Sequence, residues 1–247
     1  MSRRHWIELI AVTLLAALAA ASLPAMAGHF EWSWDAINHQ VYLGMTAEHP
    51  RWQLDVMAAN SQTYQYPYLY WPVYRMALLD AQGVWVAAAW AATQAACVMP
   101  PVWWAAYRML PQQGGAAEAT IERMAACVLA AMSGVLWSSL ETTANDLLAA
   151  APLLWAVAIG LKPDASDRRL LAMGALFGVS VAFKLSNAVF LPVLLVWWFE
   201  ARAPYLPLRR GLHLWGGAAA GFLAAYAPWG LQLWAHTGNP LYPYMGH

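Results

Sequence analysis

The sequence predicts an all-α fold, a polytopic transmembrane helical bundle of about seven spans, and three observations predict it. Hydrophobic residues make up 61% of the chain and charged residues only 11%, against roughly 25% charged in an ordinary soluble domain. Apolar runs recur along the whole chain with short polar connectors between them, as a backbone that must satisfy itself inside lipid requires. Lysine and arginine fall mostly in alternate connectors, which is the positive-inside bias. The formal net charge is zero, which argues against a nucleic-acid partner. Cys97 and Cys127 both sit in apolar runs and read as small core residues, not as a disulfide or a metal pair.

Taken in order, Ser2-Arg3-Arg4-His5 precedes an apolar run from Trp6 to about Ala27. Ala25-Met26-Ala27 fits a signal-peptide cleavage pattern. The run exceeds a typical signal core, however, and is read as an uncleaved first helix. Residues 28–82 form an extracytoplasmic loop inserted between spans one and two, and residues 1–247 otherwise form a single transmembrane domain. The second span runs from Gly83 to about Met109 and is kinked at Pro100-Pro101, because proline removes a helix hydrogen bond. Leu110 to Arg123 is polar, carries Gly114-Gly115 and reads as a turn region. Met124–Leu140 and Leu147–Leu161 are spans three and four, joined by the polar segment Glu141 to Asp146. The apolar stretch Leu170–Phe199 is broken by Lys184-Leu-Ser-Asn187 and divides into two short spans with that tetrapeptide at the tip. A seventh span, Gly211 to about Trp234, leads into His236-Thr-Gly-Asn-Pro-Leu-Tyr-Pro-Tyr244, a turn signature.

With the N-terminus in the cytoplasm, the inner side receives Arg3, Arg4, Arg108, Arg123, Lys162, Arg168, Arg169, Arg202, Arg209 and Arg210. The outer side receives only Arg51, Arg75 and Lys184. The same alternation sends every chemically unusual loop to the outer face. The first loop alone holds five of the thirteen acidic residues, three of the seven histidines and eleven aromatic rings. Rings mixed with carboxylates suit the membrane interface, where ring bodies bury and polar tips stay wet.

Four groups carry the candidate chemistry. Asp35 and His39 are four residues apart and share a face on a helix. A carboxylate beside an imidazole fits a general base, and the same spacing fits a cap or a solvated pair. Glu141 and Asp146 flank an outer loop; Asn145 or Asp146 also fits the cap of the following helix. With Asp35 the two acids offer a set for a divalent cation, but nothing fixes a ligand geometry and no cofactor is expected. Lys184, a rare outer cation at the end of an apolar run, suits a phosphate or snorkels to lipid headgroups. His236 closes the last span. Asp35, Glu141 or Asp146, Lys184 and His236 are expected to converge on one outer cavity roofed by His39–Tyr74.

These segments together resemble the bacterial GT-C-type integral membrane glycosyltransferases, in a branch of multi-spanning proteins. The resemblance rests on Trp34-Asp35 with Asn38-His39 and Tyr42, on Ser61-Gln-Thr-Tyr64 with Pro67 and Pro72, and on Asn145-Asp146-Leu147. Lys184-Leu-Ser-Asn187 and Thr237-Gly-Asn-Pro-Leu-Tyr-Pro-Tyr244 complete it. It implies transfer of a sugar from a polyprenyl-phosphate-linked donor to a cell-envelope acceptor, at the outer face of the bacterial inner membrane and in contact with membrane lipid. It implies Asp35 and His39 as catalytic residues. Gln62, Tyr64, Glu141, Asp146, Lys184, Asn187 and His236 are then substrate-binding residues. Ala36 stands where family members often carry a second acid. Family chains are longer, so this sequence is expected to be an N-terminal part of one. The alternatives are a lipid- or sugar-carrier-binding protein without chemistry, and a transporter. A transporter is expected to show paired repeats, and none is evident.

Overall fold

The structure is a computed structural model that describes residues 1–28, 33–79, 83–110, 115–140, 142–161, 166–200 and 207–244. Among these residues the fold is helical throughout, with no strand. The first helix, α1 (Arg3–Ala27), is capped by the Ser2 side chain and ends where Gly28 turns left-handed, at φ 75°. The loop that follows is not irregular. It holds a π-helical turn (Ala36–Gln40) running into α2 (Val41–Thr46), a 3₁₀ turn (Asn60–Tyr64) and α3 (Trp71–Ala77). The remaining helices are α4 (Val84–Met109), α5 (Ala116–Ala131), α6 (Gly134–Leu140), α7 (Asp146–Gly160), α8 (Asp167–Phe183), α9 (Leu191–Glu200) and α10 (Pro207–Thr237).

Two boundaries differ from the sequence reading. The polar stretch before Arg123 is helical from Ala116 onward, because its polar side chains either face out or meet α1. The expected third span is also broken: α5 and α6 meet at 64°. By contrast α4 stays helical through Pro100 and Pro101.

Packing contacts give the helix directions. Leu9 and Val12 of α1 meet Met99 and Trp103 of α4, while Ala20 meets Ala91 and Ala95, so the pair is antiparallel. Met99 and Trp103 also meet Cys127, and Val98 meets Leu136, so α5 and α6 return antiparallel to α4. On α7, Leu148 packs near Trp90 and Trp155 near Trp104, which makes α7 parallel to α4. Ser180 near the end of α8 donates to the carbonyl of Ala149 at the start of α7, so α8 runs back. The bundle therefore alternates direction, and α8 and α10 are parallel.

The α8–α10 contact is a close one. Cβ atoms placed on Gly174 and Gly178 of α8 would overlap the carbonyl oxygens of Leu214 and Ala218. Those on Gly217 and Gly221 of α10 would overlap the carbonyls of Leu171 and Ala175. Each helix thus carries a G-x-x-x-G pair facing the other's backbone, the small-residue packing that lets helices approach without a solvent-driven force. Phe177, Met173, Leu170 and Leu214 fill the space beside it.

The opposite end of the bundle is fastened by charge. Glu8 and Arg123 are both buried, at 5% and 3% exposure. Arg123 donates from Nε to Glu8 Oε2 at 2.9 Å, and the second guanidinium arm donates to Oε1 at 3.0 Å. Thr120 and Arg4 donate to the same carboxylate. This network ties α1 to α5, and a buried ion pair holds only when its oxygens are satisfied in this way.

Among the described residues, α1 alone is long and apolar enough to cross a membrane, and the bent α5–α6 pair is a second candidate if counted as one span. At 25 residues α1 reaches about 37 Å, beyond the roughly 30 Å hydrocarbon core. Its outward side carries Ile7, Ile10, Leu14, Leu15 and Leu18, all exposed.

The glycine interlock yields a paired test. Gly217→Ala forces a methyl group into the Leu171 carbonyl and should lower stability by about 1–3 kcal/mol. Gly216→Ala meets no atom within 4 Å and should be neutral or stabilising by about 0.5–1 kcal/mol through lost glycine freedom. Thermal unfolding of the two variants in one detergent checks the order.

Candidate functional site

Four segments end together at the C-terminal end of α8. The π turn brings Asp35, His39 and Gln40; the 3₁₀ turn and its continuation bring Gln62, Tyr64, Gln65, Tyr66 and Tyr70. The start of α7 brings Ala144, Asn145 and Asp146, and the break after α8 brings Phe183, Lys184, Leu185 and Ser186. With Tyr226 of α10 and Tyr244 these line one cavity of about 290 Å³.

Local structure explains the placement. At Lys184 the backbone is extended (φ −149°, ψ 105°), which stops α8 and turns the chain into a 3₁₀ segment, Leu185–Phe190. Asn187 fastens that turn: its amide donates to Ser180 Oγ at 2.9 Å and to the carbonyls of Ser180 and Ala149 at 3.3 Å. The end of α8 is thereby clamped to the first turn of α7, and Lys184 forms an ion pair with Asp146 across the gap. Both partners are substantially exposed, so this pair contributes little to stability. The aromatic segment is fastened to α10: Trp229 Nε1 donates to the Tyr64 carbonyl at 3.0 Å, and Gln232 donates to the Tyr68 hydroxyl at 3.1 Å.

The expected residues thus divide. Asp35, His39, Gln62, Tyr64, Asp146 and Lys184 line the cavity. Asn187 does not; its amide is committed to Ser180 and Ala149 and positions Lys184. His236 lies elsewhere, because α10 continues to Thr237 and Gly238 turns left-handed only after it. Its ring meets Trp52 at 4.5 Å in a separate shallow pocket with Gln232 and Pro50. Glu141 lies outside the described residues. Among the described residues no group of three or more His, Cys, Asp or Glu side chains is placed to hold a metal ion.

Asn145, for which a cap and a functional role both fitted the sequence, does not use its side chain as a cap. It occupies the N-cap position of α7 but its side chain makes no capping hydrogen bond. It is 2% exposed, lines the cavity, and its Oδ1 has no partner. The sequence signal for this was ambiguous, since Asn before a helix is usually a cap. His39 is similar: 4% exposed, with Nδ1 unpartnered and 3.8 Å from Asp35 Oδ1, too long for a hydrogen bond. Gln40, in contrast, is engaged by the Thr143 hydroxyl.

Burial sets the protonation of the lining. It lowers the His39 imidazole below its usual value; Asp35 opposes this and Lys184 adds to it. Burial pushes the Tyr66 phenol up to about 12, and raises Tyr70 further with help from Asp146 and Asp35. The phenols therefore remain hydrogen-bond donors, and the imidazole is neutral at pH 7.

The His39 shift predicts a pH dependence. The unfolded chain takes up a proton near pH 6.5 that the folded protein resists, so stability falls as pH drops below that value and is unaffected above it. Thermal midpoints of wild type and His39→Gln at pH 7.5 and 5.5 measure this. The wild type should lose more on acidification than the variant; equal losses contradict it. No family model matches the chain, and neither does any curated protein or solved structure.

Proposed function

We propose that the protein is a multi-pass inner-membrane glycosyltransferase of the GT-C type. In this reading it moves a sugar from a polyprenyl-phosphate-linked donor to an acceptor at the extracytoplasmic face, with its N-terminus in the cytoplasm. One observation carries the reading: Asp35 and Lys184, 149 positions apart in the chain, line the same cavity. Support for the membrane setting comes from the alternating helix directions and from an apolar outer surface. Besides α1, that surface includes Val128, Leu129, Met132 and Val135 on α5–α6 and Leu212, Leu223 and Leu231 on α10, all exposed. A soluble monomer rarely exposes contiguous apolar area on this scale. The positive-inside bias supports an outer position for the cavity.

In this reading an acceptor hydroxyl attacks the anomeric carbon from the face opposite the phosphate. The new C–O bond forms as the sugar–phosphate bond breaks, so the configuration inverts. The hydroxyl proton passes to the Asp35 carboxylate, which is open to the cavity with its side chain 59% exposed, and the bonding electrons leave with the phosphate. Lys184 offsets the charge that develops on that phosphate. At rest its ammonium is held by Asp146, so donor binding exchanges one anionic partner for another. Tyr66 and Tyr70 supply protonated phenols in the same cavity.

Purified protein reconstituted with a labelled polyprenyl-phosphate sugar and a membrane acceptor fraction tests the proposal. Asp35→Asn should lower the turnover rate by about 10²–10⁴, the usual contribution of a general base, while leaving donor binding in place. Lys184→Ala should weaken donor binding as well as slow transfer. Unchanged transfer by Asp35→Asn removes Asp35 as the base. Donor binding without turnover by the wild type supports the carrier-binding alternative instead.

A further inference from the structure

Two residues that line the cavity, Asn145 and His39, each hold a buried polar side-chain atom without a partner. Folded proteins satisfy the large majority of their buried polar side chains, and an exception calls for a reason. Leaving such a group unsatisfied costs roughly 1–3 kcal/mol. Some buried groups are fully met, as at Glu8, whose carboxylate accepts from Arg4, Thr120 and Arg123, and others, such as Trp90 Nε1, Gln94 Oε1 and Trp103 Nε1, have no partner. Asn145 and His39 differ from these in that they line the polar cavity. Asn145 is almost fully buried, sits at a helix N-cap without capping it, and leaves Oδ1 unpaired. His39, equally buried, leaves Nδ1 unpaired.

We propose that Asn145 and His39 form a recognition subsite for the hydroxyl groups of a single uncharged sugar ring. The inference rests on the reading above and deepens it, because it assigns the sugar to one part of the same cavity. Three features fix the ligand class. A primary amide carries both donor and acceptor, and a neutral imidazole likewise gives at one nitrogen and takes at the other. Hydroxyl groups, which both donate and accept, complement that pair. The volume, about 290 Å³, lies at the low end of the roughly 300–1,000 Å³ of ligand pockets, which suits one ring and not an oligosaccharide. A sugar carboxylate placed at His39 would meet like charge, since Asp35 Oδ1 lies 3.8 Å from Nδ1. Asn145 and His39 are therefore specificity residues, distinct from the base at Asp35 and the cation at Lys184.

The test is ligand-observed saturation-transfer NMR on the intact protein in an amine-oxide detergent, which carries no sugar of its own. The probes are the methyl glycosides of glucose, galactose and mannose, the methyl glycoside of glucuronic acid, and separately farnesyl phosphate. At least one neutral glycoside should bind, and Asn145→Ala and His39→Gln should each weaken it tenfold or more. Both variants should retain farnesyl phosphate binding within twofold. Asn145→Ala should not lower the thermal midpoint by loss of a hydrogen bond, because its Oδ1 has no protein partner to lose; His39→Gln keeps the test independent of that variant's folding. Equal glycoside binding by wild type and both variants overturns the inference. So does binding of farnesyl phosphate with no neutral glycoside bound, or a glucuronide bound as tightly as the neutral rings. Glycoside binding that depends on Asn145 and His39 in a protein without transfer activity leaves the subsite standing and removes the transferase reading.

Discussion

The close approach of α8 and α10 is the constraint on which the cavity depends. Two parallel helices meet backbone to backbone because Gly174, Gly178, Gly217 and Gly221 supply no Cβ at the contact. Such contacts gain dispersion energy over many small increments and lose it steeply when the gap widens. The interlock also sets register. It places Ala182, at the end of α8, beside Tyr226 and Trp229 of α10, and Lys184 follows two residues later. The Ser180–Asn187–Ala149 hydrogen bonds then bring α7 to the same level. Lys184, Asp146, Asn145 and Tyr226 reach one cavity because of these two devices.

The Glu8 network and the cavity lining use their polar groups differently. At the N-terminal end of α1 Glu8 is buried and multiply satisfied, and Arg123 also lies over the Tyr107 ring at 5.8 Å. That arrangement is a fastening, and it offers nothing unpaired to a ligand. At the other end the lining is polar, aromatic and incompletely paired, with perturbed His39, Tyr66 and Tyr70 beside open carboxylates. Perturbed titratable groups in a concave site are the usual physical mark of function.

Much of this was readable from the chain, and the misses have causes. Hydropathy marked most of the long helices, and the polar interruption at Lys184 marked the end of α8 because a charge seldom falls inside an apolar run without ending it. Asp35, Asp146 and Lys184 were placed at one face by alternation alone. The glycine pairs went unread because a G-x-x-x-G spacing looks like any pair of small residues until a partner helix is known. For Asn145 or Asp146 a cap and a functional role fitted the sequence equally, because local propensity favours Asn and Asp at a helix start, and only the tertiary structure shows that the Asn145 side chain makes no capping bond. His236 was drawn to the site by its position at a helix end, but one more turn of α10 carries it to Trp52. The polar content of Ala116 to Arg123 suggested a turn, yet Thr120 and Arg123 hold that segment helical against Glu8. The count of spans rested on composition, whereas length and apolarity together single out α1 and the bent α5–α6 pair among the described residues.

The most direct measurement is a cross-link across the cavity in intact membranes. Cysteines replace Asp35 and Lys184 in a chain whose Cys97 and Cys127 are alanine, and a short bis-maleimide is added to sealed vesicles of known orientation. The account predicts an intramolecular cross-link, formed from the extracytoplasmic side and blocked by prior treatment of that side with a membrane-impermeant maleimide. Absence of the cross-link when each single cysteine is labelled, or reaction from the cytoplasmic side alone, would contradict a shared outer cavity.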